Sequence, residues 1–161
     1  TRSAVRAGSW AGARRGPLSV NRFLLDTNVI SEPMRPRPSA AVLHWFEARD
    51  PADLFLSAVT LGELVAGIRR LASSARRRAL EKWLEEVVVA QFQGRILAFD
   101  VEAAWRWGVL VARAATLGRP RPAIDLQIAA IAAQHDLVLV SRNAADFAGL
   151  GLEVVNPWGG A

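Results

Sequence analysis

The chain has 161 residues, the size of one ordinary domain, and its 52% hydrophobic and 22% charged residues are a globular composition able to bury a core. It has no cysteine and only two histidines, His44 and His135, which excludes disulfide scaffolds, iron–sulfur clusters, thiol nucleophiles and cysteine-based zinc sites. The formal charge of +5 is local: Arg2, Arg6, Arg14, Arg15 and Arg22 supply the whole excess, and the other 15 basic residues balance 15 acids.

Residues 1–20 are rich in Gly, Ala, Ser and Arg without periodicity and are expected to form a basic, disordered arm. Residues 21–161 are expected to form a single domain. Within it, Arg22–Leu25 reads as a buried strand ending at a polar turn, Asp26-Thr27-Asn28. A Pro-rich loop over Pro33–Pro38 leads to a helix over Ala40–Arg49. Leu54–Ser57 is a second strand. Leu61, Leu64, Val65, Ile68 and Leu71 follow helical spacing, and Ser73-Ser74 starts another helix carrying Leu80, Trp83, Leu84, Val87 and Val88. Arg95–Phe99 is a third strand. A long helix over Val101–Leu117 stops at Gly118 and Pro120, and a compact helix over Ala123–His135 follows Pro122. Leu137–Val140 and Leu152–Val155 complete a set of five strands. Strands alternating with helices predict an α/β fold with a central, mostly parallel sheet of about five strands and helices on both faces. No apolar run approaches the roughly 20 residues of a membrane helix, and the arm lacks the apolar segment of a secretory signal, so a cytoplasmic setting without membrane contact is expected.

Ligands of such sheets bind beyond the carboxyl ends of the strands. Asp26 follows strand one. Glu63 lies on the first turn of the helix after strand two. Asp125 opens the helix before strand four, and Asn143 and Asp146 follow that strand. Each has a local explanation: an Asx turn for Asp26, a Thr60–Glu63 capping box, a favourable helix dipole for Asp125 behind Pro122 at N1, and a short capped helix at Asn143 with Asp146 in its first turn. Together, four carboxylates near strand ends repel one another unless a cation intervenes. Without cysteines, the compatible ion is a hard one held by oxygen, Mg²⁺ or Mn²⁺, and such ions serve attack on phosphorus.

These residues also carry a resemblance. Phe23-Leu24-Leu25-Asp26-Thr27-Asn28-Val29-Ile30-Ser31-Glu32-Pro33, Ser57-Ala58-Val59-Thr60-Leu61-Gly62-Glu63-Leu64, Asp125-Leu126-Gln127-Ile128-Ala129-Ala130 and Ser141-Arg142-Asn143-Ala144-Ala145-Asp146-Phe147 resemble, in order, four motifs of PIN-domain ribonucleases. The Ile-Ser-Glu-Pro extension and the Asn-Pro-Trp ending are most similar to the FitB-type branch of the VapC toxins. The resemblance spans about Arg22 to Trp158. It implies a PIN-like domain and a Mg²⁺- or Mn²⁺-dependent endoribonuclease acting as the toxin of a type II toxin–antitoxin pair. It also implies a homodimer neutralised by a VapB-like antitoxin, with operator DNA bound only indirectly, through that antitoxin. Asp26, Glu63 and Asp125 match the three core acids and the metal ligands. Some relatives place an Asp where this chain has Asn143, so Asn143 and Asp146 both stand as candidates for the fourth position. Thr27, Asn28, Arg35, Ser141 and Arg142 are candidate substrate-binding residues.

Two other readings fit part of the pattern. A phosphatase using Asp26 as nucleophile is disfavoured by Asn28 in place of a second Asp and by Lys82 lying far from any motif. A catalytically weak or inactive binding module is favoured only by Asn143. Among the remaining features, Arg119 and Arg121 are expected at the fringe of the pocket or on plain surface. Arg69-Arg70 and Arg76-Arg77-Arg78 are expected on a solvated face. Leu64, Ile68, Leu71 and Trp83 are expected in the core or a dimer surface rather than a ligand pocket. Of Trp105 and Trp107, one is expected in the core and the other at an interface.

Overall fold

Three consecutive apolar residues, Phe23–Leu25, form strand β1, buried on both faces in a computed structural model that describes residues 21–159. The arm expected over 1–20 lies outside the described residues. The other strands are β2 (Leu54–Ser57), β3 (Ile96–Leu97), β4 (Val138–Val140) and β5 (Val154–Val155). They form one five-stranded sheet in the order β3-β2-β1-β4-β5, and every pairing is parallel. The third and fifth strands are shorter than their apolar runs: only two residues of each pair with the sheet edge.

Alternation along the strands divides the core in two. Phe23 and Leu25, with Leu54, Leu56, Val138 and Val140, face helices α2 (Ala40–Glu47) and α3 (Ala58–Arg70), together with Leu84 and Val88. Leu24 and Leu139 face α5 (Val101–Thr116) and α6 (Ala123–Gln134), where Ala103, Leu110, Leu126 and Ile131 close the second layer. α6 is apolar nearly all round because it is sandwiched between the sheet and α5, which is why Ile128 to Ala132 are all buried.

Several local expectations are corrected. The polar turn after β1 is instead the start of a short helix, α1 (Thr27–Ser31), with Asp26 as its N-cap, and the Pro-rich loop opens with a 3₁₀ turn over Glu32–Met34. Thr60 does not cap α3. Ser57 does, its Oγ accepting the Thr60 N–H at 2.9 Å, so Glu63 lies on the second turn and makes no capping box. Pro122 is the N-cap of α6 rather than its first residue. Helix α4 (Ala75–Trp83), capped by Ser74 as its sequence predicts, runs on as a π-helical stretch over Leu84–Val89, which turns Leu84 and Val88 into the core. Among the described residues, no helix is long and apolar enough to cross a membrane.

Candidate active site

The strand order reverses between β1 and β4: β2 and β3 lie to one side of β1, and β4 and β5 to the other. That is the switch point where a crevice opens beyond the carboxyl ends. Leu25 pairs with Val140, so the next residues of the two strands, Asp26 and Ser141, stand side by side. Ser141, fully buried, donates its hydroxyl to Asp26 Oδ2 at 2.8 Å. The backbone N–H of Thr27 donates to Asp26 Oδ1, also at 2.8 Å. Asp26 is only 8% exposed, and two donors hold its carboxylate in one orientation.

Glu63 reaches the same crevice from α3. The Thr27 hydroxyl donates to Glu63 Oε2 in a short hydrogen bond. Asp125 enters from the first turn of α6. Its carboxyl is pushed above the ordinary carboxylate range, by burial first and then by the charges of Asp26, Glu63 and Asp146, while Arg121 pulls it the other way. The same four acids singled out in the sequence thus share one electrostatic neighbourhood.

The last motif divides. Asn143 is exposed, sits at the N-cap of a 3₁₀ turn over Ala144–Phe147, and its side chain caps nothing; its backbone N–H donates to Ser141 Oγ at 3.2 Å. Asp146, within that turn, accepts a hydrogen bond from Arg121 Nη1 at 2.9 Å.

The five candidate substrate contacts occupy different places. Thr27 and Ser141 hold carboxylates. Asn28 is half-buried on α1, and its side chain hydrogen-bonds no described residue. Arg35 is ion-paired with Glu32 at 3.3 Å. Arg142 is exposed and stacks on Trp158, 5.4 Å from the ring centre.

Glu32 is a residue the sequence reading passed over. It is 3% exposed and also accepts the Ser39 N–H at 2.9 Å, so it ties the Pro-rich loop into a closed clasp. A groove of about 270 Å³ runs from Thr27 and Glu63 between α1, α3 and α4, floored by Leu64, Ile68 and Trp83 and flanked by Arg35 and Arg76. The expectations for this region are corrected accordingly: the apolar stripe of α3 lines a groove as well as the core, and Arg76 borders that groove.

The donors are oxygens throughout. Among the described residues, no three acids or histidines already stand close enough to grip one ion. Mg²⁺ fits that arrangement in kind, because it is commonly bound through one or two carboxylates and keeps several waters.

A parallel sheet with acids gathered at its switch point is the architecture of the PIN domain, and the sequence profile of that domain matches residues 23–151: the chain belongs to the PIN-domain family. Within it, the chain is 39% identical over 136 residues to Toxin FitB of Neisseria gonorrhoeae, covering 84% of this chain and 98% of that protein. It is 38% identical over 136 residues to VapC ribonuclease Y4jK of Sinorhizobium fredii, covering 84% and 97%. The solved structure of FitAB bound to an IR36 DNA fragment superposes with a TM-score of 0.83 at 36% identity, covering 86% of this chain and 97% of that one. FitAcB from Neisseria gonorrhoeae superposes with a TM-score of 0.81 at 39% identity, covering 84% and 98%.

Proposed function

We propose that this protein is a metal-dependent endoribonuclease that hydrolyses RNA phosphodiester bonds and acts as the toxin of a type II toxin–antitoxin module. The observation that carries the reading is the convergence of Asp26, Glu63 and Asp125, from three separate segments, on the crevice at the sheet's switch point. The carboxyl of Asp125 responds to both of the others. Such a group of acids is costly to maintain and is matched to a divalent cation. Asp26 and Asp125 would hold Mg²⁺ or Mn²⁺, with Glu63 completing the site. The ion, when bound, supplies charge stabilisation for an in-line displacement at phosphorus.

The chain's own residues do the rest. Ser141 and the Thr27 backbone N–H fix both oxygens of Asp26, so that carboxylate is preorganised. Thr27 orients Glu63 from the opposite wall. The groove beyond Glu63 fits the antitoxin reading: an apolar floor between arginines suits an amphipathic segment of a VapB-like partner, and such a segment would end beside the acids it blocks. Operator DNA would be reached through that partner. Self-association is supported by α5, where Val101, Trp105 and Val109, spaced by four, are 87%, 76% and 58% exposed.

The test is incubation of antitoxin-free protein with total RNA in Mg²⁺, Mn²⁺ or EDTA, beside Asp26→Asn and Asp125→Asn. Cleavage that needs the metal and is lost in both variants is the expected result. Metal binding by folded protein without RNA turnover would favour the binding-module reading, for which the exposed Asn143 is the specific observation.

A further inference from the structure

Arg121 lies four residues before Asp125 and pairs with Asp146, the acid of the turn that follows β4. Its side chain is only 16% exposed, it precedes α6, and it meets Asp146 through one nitrogen at 2.9 Å. A guanidinium has five N–H donors. Among the described residues Arg121 makes no other hydrogen bond or ion pair, so its remaining donors are unused, beside the turn after β4 whose Asn143 N–H meets Ser141 Oγ at 3.2 Å.

Two roles fit a lone ion pair. It could merely pin the 3₁₀ turn at Ala144–Phe147 to the start of α6. The unused donors and the position beside the turn that meets Ser141 argue for more. RNA phosphate must approach a pocket of four acids that repels it, and a guanidinium at the rim of that pocket offers a fork matched to phosphate oxygens.

We infer that Arg121 is a phosphate-positioning residue of the acidic crevice, held by Asp146, and that Asp146 acts through Arg121 rather than replacing Asn143 as a metal ligand. The inference rests on the nuclease reading. Asp146 holds the guanidinium at the rim while its other nitrogens take a phosphate oxygen of the RNA next to the scissile bond. The same positive charge competes with a divalent ion for the acids, so it also tempers metal affinity.

The experiment uses the full chain and three variants, Arg121→Gln, Arg121→Lys and Asp146→Asn, each first checked for native melting. Binding of a short single-stranded RNA is measured in EDTA across a salt series, and Mn²⁺ binding is measured by calorimetry. Arg121→Gln should weaken RNA binding about tenfold, the low end for a hydrogen bond to a charged group. It should also flatten the salt dependence by about 0.7 in log–log slope, the loss of one phosphate contact. Its Mn²⁺ affinity should rise on the order of fivefold, and that of Asp146→Asn should fall, because the two remove opposite charges. Arg121→Lys should keep the salt slope and lose most of the affinity.

Equal RNA affinity and slope in Arg121→Gln and wild type would overturn the assignment while leaving the nuclease intact. So would shifts of Mn²⁺ affinity in the same direction for Arg121→Gln and Asp146→Asn, which a purely structural clasp produces. A wild-type protein that binds neither RNA nor Mn²⁺ would overturn the nuclease reading and this one with it.

Discussion

Replacing Ser141 with Ala removes a single oxygen from the most buried part of the crevice. Ser141 is 0% exposed, and its hydroxyl is the donor to Asp26 Oδ2 at 2.8 Å. The other Asp26 oxygen keeps the Thr27 N–H, so the variant leaves a carboxylate half held. Losing a hydrogen bond to a charged, buried acceptor costs about 1.5–3 kcal/mol. The N–H of Asn143 also loses an acceptor, but Asn143 is exposed and water replaces it. A cost of about 2 kcal/mol corresponds to a fall of about 4–8 °C in melting temperature for a chain of this size. Urea titrations of Ser141→Ala, Asp26→Ala and the double variant close a cycle whose coupling should be about 1.5–3 kcal/mol. A coupling below about 0.5 kcal/mol, the scatter of independent sites, would refute the claim that Ser141 acts on Asp26. Cleavage should fall further than stability, on the order of 100-fold, since a misplacement of about 1 Å in a positioned group has that effect.

Asp125→Asn should stabilise the metal-free protein at neutral pH. The folded state holds the Asp125 proton more tightly than the unfolded state, so this group's contribution to stability is full below its ordinary value of 3.8 and is lost as pH rises through the raised folded value. The gain on mutation should therefore vanish in melts run in EDTA below that ordinary value; an equal gain at both pH extremes would contradict it. Arg95 bridges the carbonyls of Pro51, Leu54 and Gln91 at the amino-end edge of the sheet, opposite the acids. Arg95→Met should cost about 2–4 kcal/mol in urea titrations while folded protein keeps its rate of RNA cleavage. Trp105→Arg should shift the protein toward monomer in sedimentation velocity, with the melting temperature of the monomer unchanged, because that ring is 76% exposed in a single chain.

The sheet was legible because its strands are buried on both faces, and runs such as Phe23–Leu25 and Leu137–Val140 announce that without a partner. The acids were legible because they follow those runs. What escaped was decided by where the backbone leaves a strand or by neighbours distant in sequence. Thr60-x-x-Glu63 satisfies the capping-box pattern, yet Ser57 wins the cap because the backbone leaves β2 one turn earlier. Trp105 and Trp107 were separable by helical geometry: Trp107 packs edge-on against Phe99, 6.4 Å away, and Trp105 points outward. Glu32 could not be found at all, since its burial depends on the Pro-rich loop folding back to bring Ser39 to its carboxylate. The Arg121–Asp146 pair spans 25 residues and breaks no local rule that would have flagged it.

The placement of β1 beside β4 also bears on how a ribosome can make this chain. Hydrogen bonds join Phe23–Leu25 to Val138–Val140, and Ser141, the donor that orients Asp26, comes only after that strand. During synthesis the first strand therefore waits for more than two-thirds of the chain before its second neighbour exists, a contact order that makes closure of the sheet a late event. Under the proposed nuclease function, a nascent chain lacks a fully oriented Asp26 until β4 and Ser141 have been made.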